Sequence, residues 1–327
     1  MNWRATGTRI LSAVKQALEK ISMALVNPKD EKNKWFQYGF TLLVLGVIAL
    51  QVLRNWEEIK NYPWHFEYWS LLLSFFAYAC AMAFAVLCWR SIMGRLVDLW
   101  PLRTHFRIYC MTTVAKRLPS PVWYIGARVL GYEALGIAKT LTGMALGIEV
   151  LIYIFSGFLF SFVFSAVGPF WAILRESPWL GLLAIPLLLL LFYPNWLVRL
   201  ANWGLRRLKR PPITLQLSSK DVVVWCIYYL GVWAGGAMMV FLLTRSIYPV
   251  AIDYLLFVFG AWTISGVIGT LGQFTLITLA GFGIRQAALA YILSFAIPWP
   301  VAIAVALLSR ILVPIYEGFW ALVASKV

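Results

Sequence analysis

Chemistry-bearing side chains are scarce in this sequence. Its two histidines, His65 and His105, both fall in expected loops, and neither has a metal-ligating partner at a usable spacing. There is no His-Glu-x-x-His, no Gly-x-Ser-x-Gly and no phosphate-loop Gly-x-x-x-x-Gly-Lys run. The commonest peptidase, esterase and nucleotidase chemistries therefore have no residues to work with. The four cysteines, Cys80, Cys88, Cys110 and Cys226, sit in or beside apolar runs without the paired spacing of a disulfide framework or a zinc site, and count as small apolar residues. The acidic Glu57, Glu58 and Glu67 lie in an outer loop, 54–67, too short to enclose a sugar substrate. No long hydrophilic stretch interrupts the 327 residues, so no separate soluble catalytic domain is expected. The expectation is a non-enzyme with no metal and no cofactor.

What the chain has in abundance is apolar surface. Hydrophobic residues make up 62% of it, against about 45–50% in an ordinary soluble domain, and the mean hydropathy is +0.79. Runs long enough to cross about 30 Å of hydrocarbon at 1.5 Å per residue are expected near 36–53, 68–89, 140–167, 179–193, 222–243, 251–270 and 300–324. The predicted fold is an all-α polytopic membrane helix bundle with about 7–8 transmembrane helices. Trp35, Trp56, Trp64, Trp69, Trp89, Trp100, Trp171, Trp179, Trp196 and Trp203 fall near the span ends, as an aromatic belt requires.

The charge is lopsided, 28 Lys and Arg against 13 Asp and Glu. A nucleic-acid reading is excluded by where the cations fall. Seven lie in 1–35, eight in 90–139 and six in 194–220, against two in 54–67 and one in 168–178. Alternate loops are basic, which is the positive-inside pattern and places the N-terminus in the cytoplasm of a cell (inner) membrane. The run Arg206-Arg207-Leu208-Lys209-Arg210 can attract anionic headgroups or act only as a topology determinant.

Residues 8–26 carry Ile10, Leu11, Val14, Leu18, Ile21 and Leu25 on one helical stripe, and read as an interfacial helix, not a signal peptide. The expected organisation is then 1–35 as a cytoplasmic helix and basic arm, 36–193 as a first membrane half with a re-entrant 117–135, 194–220 as a basic linker, and 221–327 as a second half with a broken 271–298. Each half holds an interrupted segment before a long span, the layout of an inverted repeat. Small-residue spacings at Gly143 and Gly147, and at Ala261, Ser265 and Gly269, are expected to let helices approach closely.

The interruptions are the most informative feature. Arg117-Leu118-Pro119-Ser120-Pro121-Val122-Trp123-Tyr124-Ile125-Gly126-Ala127-Arg128 and Leu279-Ala280-Gly281-Phe282-Gly283-Ile284-Arg285-Gln286-Ala287 break apolar stretches with Pro or Gly and place arginine inside. Unwound backbone at membrane depth survives only beside protein or a wet cavity, and a guanidinium there calls for an anion. Arg128, Arg285 and Arg117, with backbone N–H groups around Gly126, Gly281 and Gly283, are the candidate headgroup ligands, and Pro119 and Pro121 hold the first break open. Glu149, set within an apolar span, needs a partner among Arg128, Arg285 and Arg310. It would balance the site's charge, or staple the two halves. Arg310 and Glu317, seven apart on one helix, are too distant to bond to each other directly, so each needs another partner.

Ala115-Lys116-Arg117-Leu118-Pro119-Ser120-Pro121-Val122-Trp123 followed by Gly126-Ala127-Arg128 resembles the Lys-Tyr-Leu-Pro-Gly-Lys-Val-Trp and Gly-Arg pattern of the lysylphosphatidylglycerol synthase/flippase transmembrane-region family. The second break resembles that family's Pro-Gly-Gly-x-Gly-x-Arg-Glu-Ala, kept here as Gly281, Gly283, Arg285 and Ala287. Glu149 and Arg310 also fall where the family carries such residues. Leu279, Ala280 and Gln286 depart from the second pattern, and Ser120 and Pro121 from the first. The resemblance implies a flippase-type membrane domain without the aminoacyl-transfer domain, moving or presenting a phospholipid or polyprenyl-phosphate lipid made by a partner enzyme. The alternative is a non-transporting accessory subunit of a larger membrane complex.

Overall fold

The computed structural model describes residues 60–97, 101–117, 122–165, 193–207, 212, 216–275 and 281–327. All regular structure among them is helical: α1 (Tyr68–Leu96), α2 (Leu102–Thr113) closed by a 3-10 turn Val114–Arg117, α3 (Val122–Glu133), α4 (Lys139–Ser165), α5 (Asn195–Arg207), α6 (Ser219–Ile247), a 3-10 turn Ile252–Tyr254 leading into α7 (Leu255–Thr275), α8 (Gly281–Leu293) and α9 (Trp299–Lys326). Five stretches are long and apolar enough to cross a membrane: α1, Lys139–Ser161 of α4, α6, Ile252–Gly272 and α9. They answer to five of the expected spans. The expected spans at 36–53 and 179–193, apart from Tyr193, and the expected helix at 8–26 lie outside the described residues.

The bundle is organised around an antiparallel α1–α6 pair, the most extensive helix contact. Polar groups tie it at both ends. At one end Arg95 of α1 pairs with Asp221 of α6. Asp221 also belongs to a capping box, in which the Ser218 side chain accepts from the Asp221 N–H and the Asp221 carboxylate accepts from the Ser218 N–H, satisfying two of the donors a helix start leaves over. At the other end Arg245 of α6 donates to Glu67 at 3.1 Å, and the Glu67 N–H bonds the Ser246 carbonyl at 2.9 Å. Between these ends small residues bring the backbones together. A Cβ at Gly235 would lie 2.9 Å from the Ala77 carbonyl oxygen and from the Ala81 nitrogen, and Gly231 faces the Phe84 ring.

Tryptophans fill the next layer. Trp233 of α6 sits over Gly157 of α4 and Gly266 of α7, and its indole N–H donates to Ser156 at 3.1 Å. Trp262 of α7 lies against Gly236 of α6. α4, α6 and α7 therefore interlock by ring-over-glycine contacts, which give dispersion without the apolar driving force that lipid removes. α9, with Pro314 inside it, packs on α2, α8 and α6.

Several expectations need correction. A Cβ at Gly143 or Gly147 meets nothing within 4 Å among the described residues, so that pair makes no close contact with any described helix; Gly231 and Gly235 make theirs with α1, at Phe84 and at Ala77 and Ala81. Of the second predicted stripe, Gly269 does receive a neighbour, the Arg285 side chain. His105, expected in a loop, is buried within α2. The broken segments are more helical than their composition suggests. α3 runs unbroken from Val122 to Glu133, and α7 continues to Thr275 before α8 begins at Gly281. Residues 118–121, including Pro119 and Pro121, and 276–280 lie outside the described set.

Candidate functional site

Four helices, α1 to α4, converge on Arg128. The side chain is fully buried, 0% exposed, and Glu149 of α4 is 5% exposed. Arg128 Nη1 donates to Glu149 Oε2 at 2.8 Å, Arg128 Nε donates to Thr112 at 3.2 Å, and Tyr109 donates to Glu149 Oε1 at 2.9 Å. Each carboxylate oxygen thus accepts from a different helix. The guanidinium also lies over rings: 4.0 Å from the Tyr109 centroid, 4.6 Å from Trp89 and 5.9 Å from Tyr124. Desolvated cation–ring contacts of this sort contribute about 2 kcal/mol or more each. Lys116 faces two of the same rings, 5.7 Å from Tyr109 and 5.2 Å from Tyr124.

This answers which of the three candidate cations Glu149 meets: it is Arg128. It also corrects the reading of Trp89 as part of the aromatic belt, since that indole is wholly buried beside Arg128. Gly126 is corrected too. As the fifth residue of α3, its N–H falls within the i to i−4 bonding of the helix and is not a freed donor. The Arg117 backbone closes the 3-10 turn after α2.

A second polar chain adjoins the first. The Trp89 indole N–H donates to the Tyr132 hydroxyl at 2.7 Å, and that hydroxyl lies 2.7 Å from His105 Nδ1. Trp89 supplies its only proton to Tyr132, so the hydroxyl proton is available for Nδ1, which places the imidazole proton on Nε2. Burial, and then the neighbouring Arg90 charge, pull the His105 pKa down from 6.5 to about 4. The unfolded chain binds this proton below 6.5 while the folded chain does not, so its contribution to stability is complete above pH 6.5 and falls as pH drops toward about 4. The thermal midpoint in detergent is expected to decline on acidifying from pH 6.5 toward the carboxylate range, and His105→Phe to flatten that part of the profile.

Arg285 occupies a different setting, in the first turns of α8 against α7. Its guanidinium lies 3.8 Å from the Trp262 ring centroid. Gly269 leaves room for it, because a Cβ there would come within 2.7 Å of the Arg285 Cβ. Among the described residues its buried Nε has no hydrogen-bond acceptor, and the buried Gln286 Oε1 likewise has no donor. Gly281 and Gly283 are the first and third residues of α8, among the helix-start residues whose N–H groups have no intrahelical acceptor. The two arginines are set differently: Arg128 bonds Glu149 of α4, whereas Arg285 lies over the Trp262 ring of α7.

On α9, Glu317 is buried and accepts from Tyr78 of α1 at 2.8 Å, while Tyr316 bonds Ser74 at 2.8 Å. Arg310 is half-buried two turns earlier. The Tyr78 contact gives Glu317 a cross-helix partner, which the seven-residue separation from Arg310 required. Among the described residues no group of three His, Cys, Asp or Glu is placed to hold a metal ion.

Tyr109, Thr112, Tyr124, Tyr132 and Trp262 were not singled out from sequence. Aromatic residues are common in membrane spans, and only the fold distinguishes rings that cover a cation from rings that face lipid. No protein-family model matches the chain, and a search of curated proteins returns no relative.

Proposed function

We propose that this chain is a lipid-translocating membrane protein, binding the anionic headgroup of a phospholipid or polyprenyl-phosphate lipid at Arg285 and the start of α8. The observation that carries the reading is the Arg285 guanidinium: buried at Nε, lacking an acceptor there among the described residues, and set beside Gly281 and Gly283 at a helix start. Such a helix start adds partial positive charge that favours a phosphate. In this account Arg128 does not hold lipid. Glu149 neutralises it, and the pair with its aromatic surround positions α3 against α4.

The finer architecture belongs to the same proposal. About 7–8 spans, re-entrant segments around 117–135 and 271–298, an inverted repeat, a cytoplasmic N-terminus in the cell membrane, and membership of the lysylphosphatidylglycerol synthase/flippase transmembrane-region family all fit the sequence resemblance. A lipid-modifying enzyme would supply the lipid. Translocation, not scaffolding, is favoured because the half-buried Arg285 keeps a buried Nε without an acceptor among the described residues, a donor that an anionic headgroup would satisfy.

The binding step is tested by native mass spectrometry of the detergent-solubilised protein with phosphatidylglycerol and with phosphatidylcholine. Wild type is expected to retain phosphatidylglycerol preferentially, and Arg285→Gln to lose that preference by about tenfold, the weight of one charge-assisted hydrogen bond. Equal retention of both lipids by wild type, or an unchanged preference in Arg285→Gln, overturns the site.

A further inference from the structure

Helix α5, Asn195–Arg207, is outside the set of membrane-length helices and does not contribute to the Arg285 site. At 3.6 residues per turn, Trp196, Leu200 and Trp203 fall within about 60° of one another on its circumference. All three are exposed, at 42%, 39% and 59%, while Val198 on the other side is buried. Arg199 and Arg206 adjoin the stripe along one edge, and Arg207 lies within it, its guanidinium 5.1 Å from the Trp203 ring centroid. Neither Asp nor Glu occurs between residues 195 and 207.

The placement of this face follows from its anchor. Asn195 Oδ1 accepts from the Leu217 N–H at 2.9 Å, which ties the start of α5 to the residues just before α6. Because α6 begins at Ser219 and is long enough to cross the membrane, that end of α6 lies at a bilayer surface and α5 starts level with it. An exposed Trp-Leu-Trp stripe edged by arginines at that height matches an anionic leaflet in both its apolar depth and its charge.

We propose that α5 lies in the plane of the membrane, with Trp196, Leu200 and Trp203 at the boundary of headgroups and acyl chains and Arg199, Arg206 and Arg207 holding anionic headgroups. The proposal is independent of translocation and would hold equally for an accessory subunit. It gives the arginines a binding role beyond setting topology.

The test uses the full chain with Cys80, Cys88, Cys110 and Cys226 replaced by alanine and a nitroxide attached through Leu200→Cys. In vesicles of phosphatidylcholine with phosphatidylglycerol, the label is expected to be reached by oxygen and shielded from a water-soluble nickel reagent. In the triple variant Arg199→Gln, Arg206→Gln, Arg207→Gln, the immersed-to-free ratio should fall about fivefold for each charge removed, the equivalent of about 1 kcal/mol per residue near an anionic surface. A second measurement keeps the native cysteines: quenching by lipids brominated below the headgroup should be weaker for Trp196→Phe/Trp203→Phe than for wild type. A label open to nickel, or quenching identical in the two proteins, overturns membrane docking and points to water or a protein partner on this face. Immersion unchanged by the triple variant overturns the recognition of anionic lipid.

Discussion

Arg128→Leu is expected to destabilise the protein by about 3–5 kcal/mol, the cost of leaving a buried charge without its partner. Among the described residues Glu149 would keep only the Tyr109 hydrogen bond, in a position 5% exposed, and the rings of Trp89, Tyr109 and Tyr124 would lose the cation they surround. The thermal midpoint in detergent should drop accordingly. Arg128→Leu/Glu149→Leu should recover most of the loss, because replacing both members of a buried pair by apolar groups removes the desolvation penalty together with the attraction. If the single variant melted with wild type, the pair would not organise the first four helices. Arg285→Gln, by contrast, removes no ion pair found among the described residues, but it gives up the contact with the Trp262 ring, so the midpoint should fall by less than for Arg128→Leu.

The second large effect is expected at Gly235. The atoms that a new Cβ would meet at 2.9 Å include the Ala77 carbonyl oxygen and the Ala81 nitrogen. Backbone atoms cannot swing aside as a flexible side chain does, so Gly235→Leu must force α1 and α6 apart. Overpacking in a close contact costs about 1–3 kcal/mol, and here it also pulls on Arg95–Asp221 and Glu67–Arg245 at the two ends of the pair. Gly318→Ala on α9 is the matched control. A Cβ there meets nothing within 4 Å among the described residues, so alanine should gain up to about 1 kcal/mol from helix propensity. Thermal unfolding of the two variants side by side checks both signs.

Hydropathy made the five long helices legible, because a chain that must cross hydrocarbon writes its spans as uninterrupted apolar runs. The need of Glu149 for a cation was legible for the same reason: carboxylates at that depth are expensive alone. Choosing among Arg128, Arg285 and Arg310 was not, since that depends on which helices adjoin. The ties at the ends of α1 and α6 join residues 126 and 178 positions apart, and no local pattern announces them. At Gly143 and Gly147 no described residue makes the close approach that the spacing permits, because spacing says two helices can approach, not which helix is the neighbour. Trp89 misled by its position. A tryptophan near a span end suits an interface, yet here the indole serves as a wall for Arg128 and as a donor to Tyr132. Residues 194–220 read only as a basic linker; the helix at Asn195–Arg207, its apolar stripe and the anchor from Asn195 to Leu217 that sets its height came with the fold.

Translocation itself is tested most directly in liposomes containing the purified protein and a trace of headgroup-labelled phosphatidylglycerol, with a membrane-impermeant reagent that bleaches only the outer leaflet. Wild type should expose the inner pool to bleaching far faster than protein-free liposomes, and Arg285→Gln should return the rate to near the protein-free level while remaining folded. Wild-type liposomes no faster than empty ones, or an Arg285→Gln rate equal to wild type, would contradict the account.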